Sequence, residues 1–226
     1  MLQSSRVPLD FVGCVSEIIV PLLTATHPTA ARLTKDSEAM PPTLTPPLTL
    51  DRFLQLPETK PAQEYSNGKI SQKPMPQGKH SALQTELVIF LNAALKPPKI
   101  ARAFLELRFT FGGHSIVPDV TIVQWDKIPR DPQGQIANRF ELAPDWTIEI
   151  LSPDQSSTKV TKNILHSLNH GTSLGWLIDP AEETILVYQP HNSPQAFDRP
   201  SQQLPTPNFA PNLTLTVEQL WAWLWE

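Results

Sequence analysis

Two acids stand where acids are costly. Glu149 lies in DWTIEILSP, flanked by Trp146, Ile148, Ile150 and Leu151, and Asp119 follows Pro118 in SIVPDVTIV. A carboxylate in an apolar run is expensive to bury unless its charge is compensated. If the two segments are neighbouring strands in suitable register, the carboxylates meet. They then repel, so one must take up a proton or a cation must stand between them. Mg²⁺ suits such a pair, with Mn²⁺ as a substitute: it takes oxygen ligands, keeps several waters, and is held by one or two carboxylates plus substrate phosphates. An ammonium nearby would orient or deprotonate a water, or stabilise charge on a phosphate. The chemistry implied is metal-assisted phosphodiester hydrolysis.

The segment after Glu149 offers the ammonium. Residues 157–169 read as a helix whose apolar stripe is Val160, Ile164, Leu165 and Leu168. Lys162 then lies about 60° from the edge of that stripe, able to lay its stem on the core and aim its tip at the sheet. Lys159 points away from the stripe and reads as solvated, and His166 and His170 fall on the polar face beyond Lys162. A bland alternative stays open, in which Glu149 pairs with Arg102 or Arg108. Glu86, inside an apolar helix, is a third metal carboxylate or faces solvent. Glu106 reads as outer-face and Glu64 as a surface residue beside a hairpin turn.

The elements that must position these residues follow from pattern. TLDRFLQL, residues 49–56, predicts a short helix capped by Thr49 and stopped by Pro57. Asn67-Gly68 between two short extended pieces predicts a hairpin. Residues 80–95 carry Ala82, Leu83, Leu87, Phe90, Leu91 and Leu95 near helical spacing, ending at Pro97-Pro98. Residues 101–111 alternate as one half-buried strand, and 115–125 as the next, with Pro118-Asp119 near its start. Strands at 146–151, 174–178 and 183–189 follow. Thr216 and Gln219 predict a capping box on a Trp-rich final helix, which reads as core plus an adhesive edge compatible with a homodimer. The fold class is α/β, with a central mixed sheet flanked by helices.

The chain has 226 residues, 40% of them hydrophobic, enough for one core with an appendage. Net charge is −4, so no global basic field advertises nucleic-acid binding. The single Cys14 excludes an internal disulfide and a cysteine metal cluster, and fits a reducing, cytoplasmic setting. Glu17 and Pro21 interrupt the apolar run near the start, which is too short to span a bilayer. Residues 1–47 read as a poorly ordered extension closed by a proline-rich linker, with Met40 a natural start, and 48–226 as the organised domain.

IVPDVTIV, WTIEILSPDQS, KNILHSLNHGTSLGWLIDP and ETILVYQP together resemble the Uma2-type domain, of the PD-(D/E)XK nuclease superfamily. Glu64-Tyr65, Gly68 and His80 also match its N-terminal part. The resemblance implies a restriction-endonuclease-like core and an Mg²⁺-dependent endonuclease acting on DNA. Asp119 and Glu149 would be its metal carboxylates and Glu86 the optional acid on the first helix. The superfamily lysine normally stands two residues after the second acid, where this chain has Leu151. Lys162 would replace it from the following helix. The alternative is a degenerate nuclease fold serving as a nucleic-acid-binding or protein-interaction module.

Overall fold

The computed structural model describes residues 48–153 and 155–225; the expected extension over 1–47, with Cys14 and Met40, lies outside them. Helix α1 (Leu50–Leu54) starts at Thr49, whose hydroxyl accepts from the Arg52 N–H. Strands β1 (Gln63–Ser66) and β2 (Lys69–Gln72) form the expected hairpin. Asn67 and Gly68, at φ 49° and 78°, supply the two left-handed residues that a two-residue turn requires. Then come α2 (Gly78–Leu95), β3 (Ala101–Leu105), β4 (Phe109–Phe111), β5 (His114–Ile116) and β6 (Val120–Gln124). After a long loop follow β7 (Trp146–Ile150), α3 (Ser157–Leu168), β8 (Leu174–Asp179), β9 (Thr184–Tyr188), β10 (Gln195–Phe197) and α4 (Val217–Ala222). The Thr216–Gln219 capping box is present on α4.

Two expected strands are each split between two sheets. The run over 101–111 breaks at Glu106, whose φ of 44° turns the chain out of the extended region. The run over 115–125 breaks at Val117-Pro118, because a proline has no N–H to give a ladder. The far halves, β4 and β5, join the hairpin in a four-stranded sheet of order β2-β1-β5-β4. The near halves, β3 and β6, belong to a six-stranded sheet of order β10-β9-β8-β7-β6-β3. The large sheet is mixed: β7 and β8 are parallel, with α3 as their crossover, and the other pairs are antiparallel.

Side chains alternate across this sheet. Trp146, Ile148 and Ile150 pack with Leu83, Leu87, Leu91 and Leu95 of α2 in the main core. Thr147 and Glu149 therefore face the other way, toward α3 and the small sheet. Val160 and Ile164 of α3 pack with Leu177 and Tyr188 on that side. Among the described residues, no helix is long and apolar enough to cross a membrane.

Gly175 in β8 sets how close α3 can lie. A Cβ there would stand 2.4 Å from Ile164 Cγ2. Gly175→Ala should therefore lower unfolding free energy by about 1–3 kcal/mol through overpacking, measured by urea denaturation; an unchanged midpoint would sink this account of the packing.

Candidate active site

The two acids meet. Val120 pairs with Ile148 and Thr121 with Thr147, so the next register position sets Asp119 opposite Glu149. The Ile150 N–H donates to Asp119 Oδ2 at 2.7 Å, tying the first acid to the strand of the second. The Asp119 carbonyl accepts from Gln84 Nε2 at 3.0 Å and from the Glu106 N–H at 3.2 Å. The left-handed turn at Glu106 thus serves the site by aiming a donor at Asp119. Both carboxylates are buried, Asp119 at 1% exposure and Glu149 at 2%.

Their compensation comes from the hairpin. Lys73, just past β2, reaches in so that its ammonium lies 2.6 Å from Asp119 Oδ1, 2.7 Å from the Val117 carbonyl and 3.5 Å from Glu149 Oε2. The Lys73 N–H donates to the Ala62 carbonyl, which holds this segment against the chain entering β1. On the far side, His80 Nε2 lies 3.2 Å from Asp119 Oδ2. Burial opposes the charge on Asp119, but Lys73 and His80 outweigh it and hold its carboxyl down to about 2. Burial pushes Glu149 up to about 8, with Asp119 and Glu64 adding to the rise against the pull of Lys73. Burial also opposes the Lys73 charge, yet Glu149, Asp119 and Glu64 push that ammonium above its ordinary value. The site thus holds one firmly ionised acid, one acid inclined to keep its proton, and one persistent cation.

Glu64 of β1 is a third buried carboxylate. It accepts the Val117 N–H at 3.0 Å and Asn163 Nδ2 at 3.3 Å, and pairs with Lys159 Nζ at 3.5 Å. The same flank of α3 carries His166, and His170 stands in the turn just past the helix. His166 stacks on His114 of β5 with ring centroids 3.8 Å apart, on Phe111 of β4 at 4.9 Å, and meets His170 at 4.3 Å. Burial pushes His166 down to about 4, so its ring is neutral imidazole near neutral pH. It holds the small sheet, and with it Lys73 and Glu64, against α3.

Several expectations need correcting. Lys162 is exposed and makes no ion pair with Asp119 or Glu149; Lys73 takes the place expected of it. Leu165, counted in the buried stripe, is 44% exposed, while Ser167 is buried. The true buried face therefore turns away from Lys162 and brings Lys159, read as solvated, to Glu64. Glu86 is half-buried without a polar partner among the described residues. The α2 positions that face Asp119 are His80 and Gln84, one turn apart. Arg108 does not compensate Glu149; it forms a two-pronged pair with Glu58 at 2.7 and 2.9 Å. Arg102 lies over the Phe104 ring. Glu64 is buried, not on the surface. Lys73 had no helical or strand pattern to mark it, only its place before Pro74 and Pro76 in a short rigid segment.

The donor set fits a hard divalent cation. Asp119 Oδ1, Glu149 Oε2 and the Val117 carbonyl converge on one positive centre, and all three are oxygens. Among the described residues, no group of three or more His, Cys, Asp or Glu side chains is arranged to hold a metal ion. Two carboxylates, with remaining positions left to backbone, water and substrate, is the pattern of Mg²⁺ sites at phosphates. A cavity of about 560 Å³ opens onto this centre, walled in part by Lys60, Lys73, His80, Asp119 and Ser152.

Comparison with known proteins points to a nuclease family. Residues 50–218 match the Uma2 family model, described as "putative restriction endonuclease". The chain is 62% identical to a crystal structure from Anabaena variabilis described as a "putative nuclease belonging to DUF820". The match covers 79% of this chain and 99% of that one, with a TM-score of 0.78. No curated protein matches.

The buried acids give stability a defined pH dependence. Glu149 has a folded-state pKa above its ordinary 4.5, so its contribution is complete below 4.5 and is lost as pH rises through about 8. His114 and His166 are shifted down from 6.5, so theirs is complete above 6.5 and lost on acidification. Between pH 6.5 and 8, in EDTA, unfolding free energy should fall by roughly 1–2 kcal/mol. Glu149→Gln should flatten that fall. An equal slope in wild type and variant, followed by denaturant titration, would refute the assignment.

Proposed function

We propose, on the premise that this chain belongs to the Uma2 family, that it is a metal-dependent endonuclease hydrolysing phosphodiester bonds in DNA. The observation that carries the proposal is the convergence of Asp119, Glu149 and Lys73 on one point beside an open cavity.

Asp119 and Glu149 would hold Mg²⁺ or Mn²⁺. When bound, the ion would polarise a phosphoryl oxygen and make water more acidic. Lys73 is the chain's own electrostatic contribution. Its ammonium keeps its proton beside three carboxylates, so its role is that of a donor and not of a base. It would hydrogen-bond to oxygens on which negative charge develops, the kind of stabilisation that matters most in a water-poor site. His80 and the Ile150 N–H orient Asp119, leaving Oδ1 directed to the shared point. Gln84 fixes the Asp119 backbone from α2. Ionisation of Glu149, favoured by a second cation, would let it join Asp119 as a ligand.

Asp119→Ala should reduce Mg²⁺-dependent cleavage of plasmid and single-stranded DNA by at least about a hundredfold, and Lys73→Met by a comparable factor. Lys162→Ala should leave the rate within about twofold, since an exposed lysine outside the site contributes little. Loss of activity in Lys162→Ala with retention in Lys73→Met would reverse the lysine assignment. No cleavage of any DNA form with Mg²⁺ or Mn²⁺ would replace the enzyme reading with that of a binding module on a degenerate nuclease fold.

A further inference from the structure

A second cavity, of about 590 Å³, adjoins the first and takes no part in the chemistry just described. The two share His80, Ser152 and Gln155 as walls. The N-terminus of α2 opens into it through Gln77, Gly78, Lys79 and His80. Gln77 occupies the cap position but makes no side-chain cap. Among the described residues, nothing accepts from the N–H groups of Gly78, Lys79 or His80. An 18-residue helix thus presents unsatisfied donors and the positive end of its dipole to the cavity.

An independent observation concerns side chains. His80 and Ser152 are each 5% exposed, and among the described residues His80 Nδ1 and Ser152 Oγ have no partner. Buried polar atoms without partners are uncommon and costly, and both residues wall this cavity. The Ser152 hydroxyl is a donor. Lys79 adds a cation. Asp179 is the one acid among the described lining residues, and its Oδ1 is engaged by the N–H groups of Ala181 and Glu182. Several donors from main chain, hydroxyl and ammonium around one space suit a ligand with several acceptor oxygens and negative charge.

We propose that this cavity is a phosphate subsite: the N-terminus of α2, Lys79 and Ser152 hold a backbone phosphate of the nucleic-acid strand next to the one presented to Asp119 and Glu149. The identity of the ligand rests on the nuclease reading above. The subsite would fix the register of the strand across the carboxylate pair, and it would do so without the metal, because its donors belong to the chain alone.

The test is binding of the full chain, in EDTA, to a fluorescein-labelled single-stranded oligodeoxynucleotide, with inorganic phosphate as competitor. Gly78→Pro removes one N–H from the first helical position, where proline is well tolerated. Gln77, at φ −104° and ψ 174°, already has the extended backbone that precedes proline, and a Cβ at Gly78 meets nothing within 4 Å. Gly78→Ala keeps the N–H and is the control. Gly78→Pro and Ser152→Ala should each weaken binding about tenfold, with Gly78→Ala at the wild-type value. Lys79→Ala should flatten the slope of log K against log salt by about 0.7. Phosphate should displace the oligonucleotide from the wild type and far less readily from Gly78→Pro. If Gly78→Pro does not fold, Ser152→Ala and Lys79→Ala decide. Wild-type affinity in these variants, or no competition by phosphate, overturns the subsite. Weakened binding in the variants of a chain that never cleaves DNA upholds the subsite and removes the nuclease reading. Cleavage by a wild type whose variants bind normally does the reverse.

Discussion

The ammonium of Lys73 between Asp119 and Glu149 is the contact on which this architecture turns. Both carboxylates are buried, and Glu64 adds a third acid close enough to raise Glu149 further. Such a set is tolerable only with a cation inside it. Removing one partner of a buried pair leaves an uncompensated charge, at a cost of about 3–5 kcal/mol. The compensation here is unequal. Asp119 receives Lys73, His80 and a main-chain N–H, whereas Glu149, among the described residues, receives only the longer contact to Lys73. That inequality drives the two acids apart in proton affinity, the condition under which a pair of like groups can take different roles.

The two-sheet arrangement follows from the same need. The large sheet brings Asp119 and Glu149 together by register, but its own cation, Arg102 of β3, lies over the Phe104 ring and makes no ion pair with them. The cation comes from the hairpin, and the hairpin reaches the acids because β4 and β5 leave the large sheet at Glu106 and Val117-Pro118 and pair with β1. Each break also supplies the site directly. The Glu106 N–H supports the Asp119 carbonyl, and the Val117 carbonyl accepts from Lys73 while its N–H binds Glu64. Interruptions of strand pattern at 106 and 118 are thus the means by which one element serves both sheets.

Much of this was legible in the sequence, and the illegible part has a physical cause. Glu149 was conspicuous because an acid in an apolar strand demands compensation, and Asp119 because a Pro-Asp start aims a carboxylate where a ladder begins. Helix α2, the hairpin turn and the α4 capping box follow from local rules and were all expected. The cation was not, because Lys73 is distant in sequence and belongs to a segment with no periodicity to interpret. A helical wheel on α3 misled for a particular reason. Leu165 is apolar but nearly half exposed, and counting it as core turned the helix enough to favour Lys162 over Lys159 and Asn163. Strand alternation across 101–111 and 115–125 was real in each half, but period alone does not reveal a change of sheet. The left-handed turn at Glu106, a non-glycine residue, gave no compositional sign.

The position two residues beyond Glu149 explains why the cation comes from so far away. Residue 151 lies on the same side of the chain as Glu149, and as leucine it packs with Val160, Ile164 and Leu177 under α3. The site therefore gives up a lysine of its own strand and gains an apolar contact that seats the crossover helix. That helix then holds Glu64 through Lys159 and Asn163, and the small sheet through the His166 stack. Lys73 is placed by the small sheet, so the apolar contact at Leu151 and the ammonium at the carboxylates are linked through α3. A lysine carried on a docked hairpin differs from one carried on the strand of the acid itself. Its presence at the site depends on the docking, and any movement of the small sheet away from α3 changes the charge around Asp119 and Glu149 before it changes anything in the large sheet.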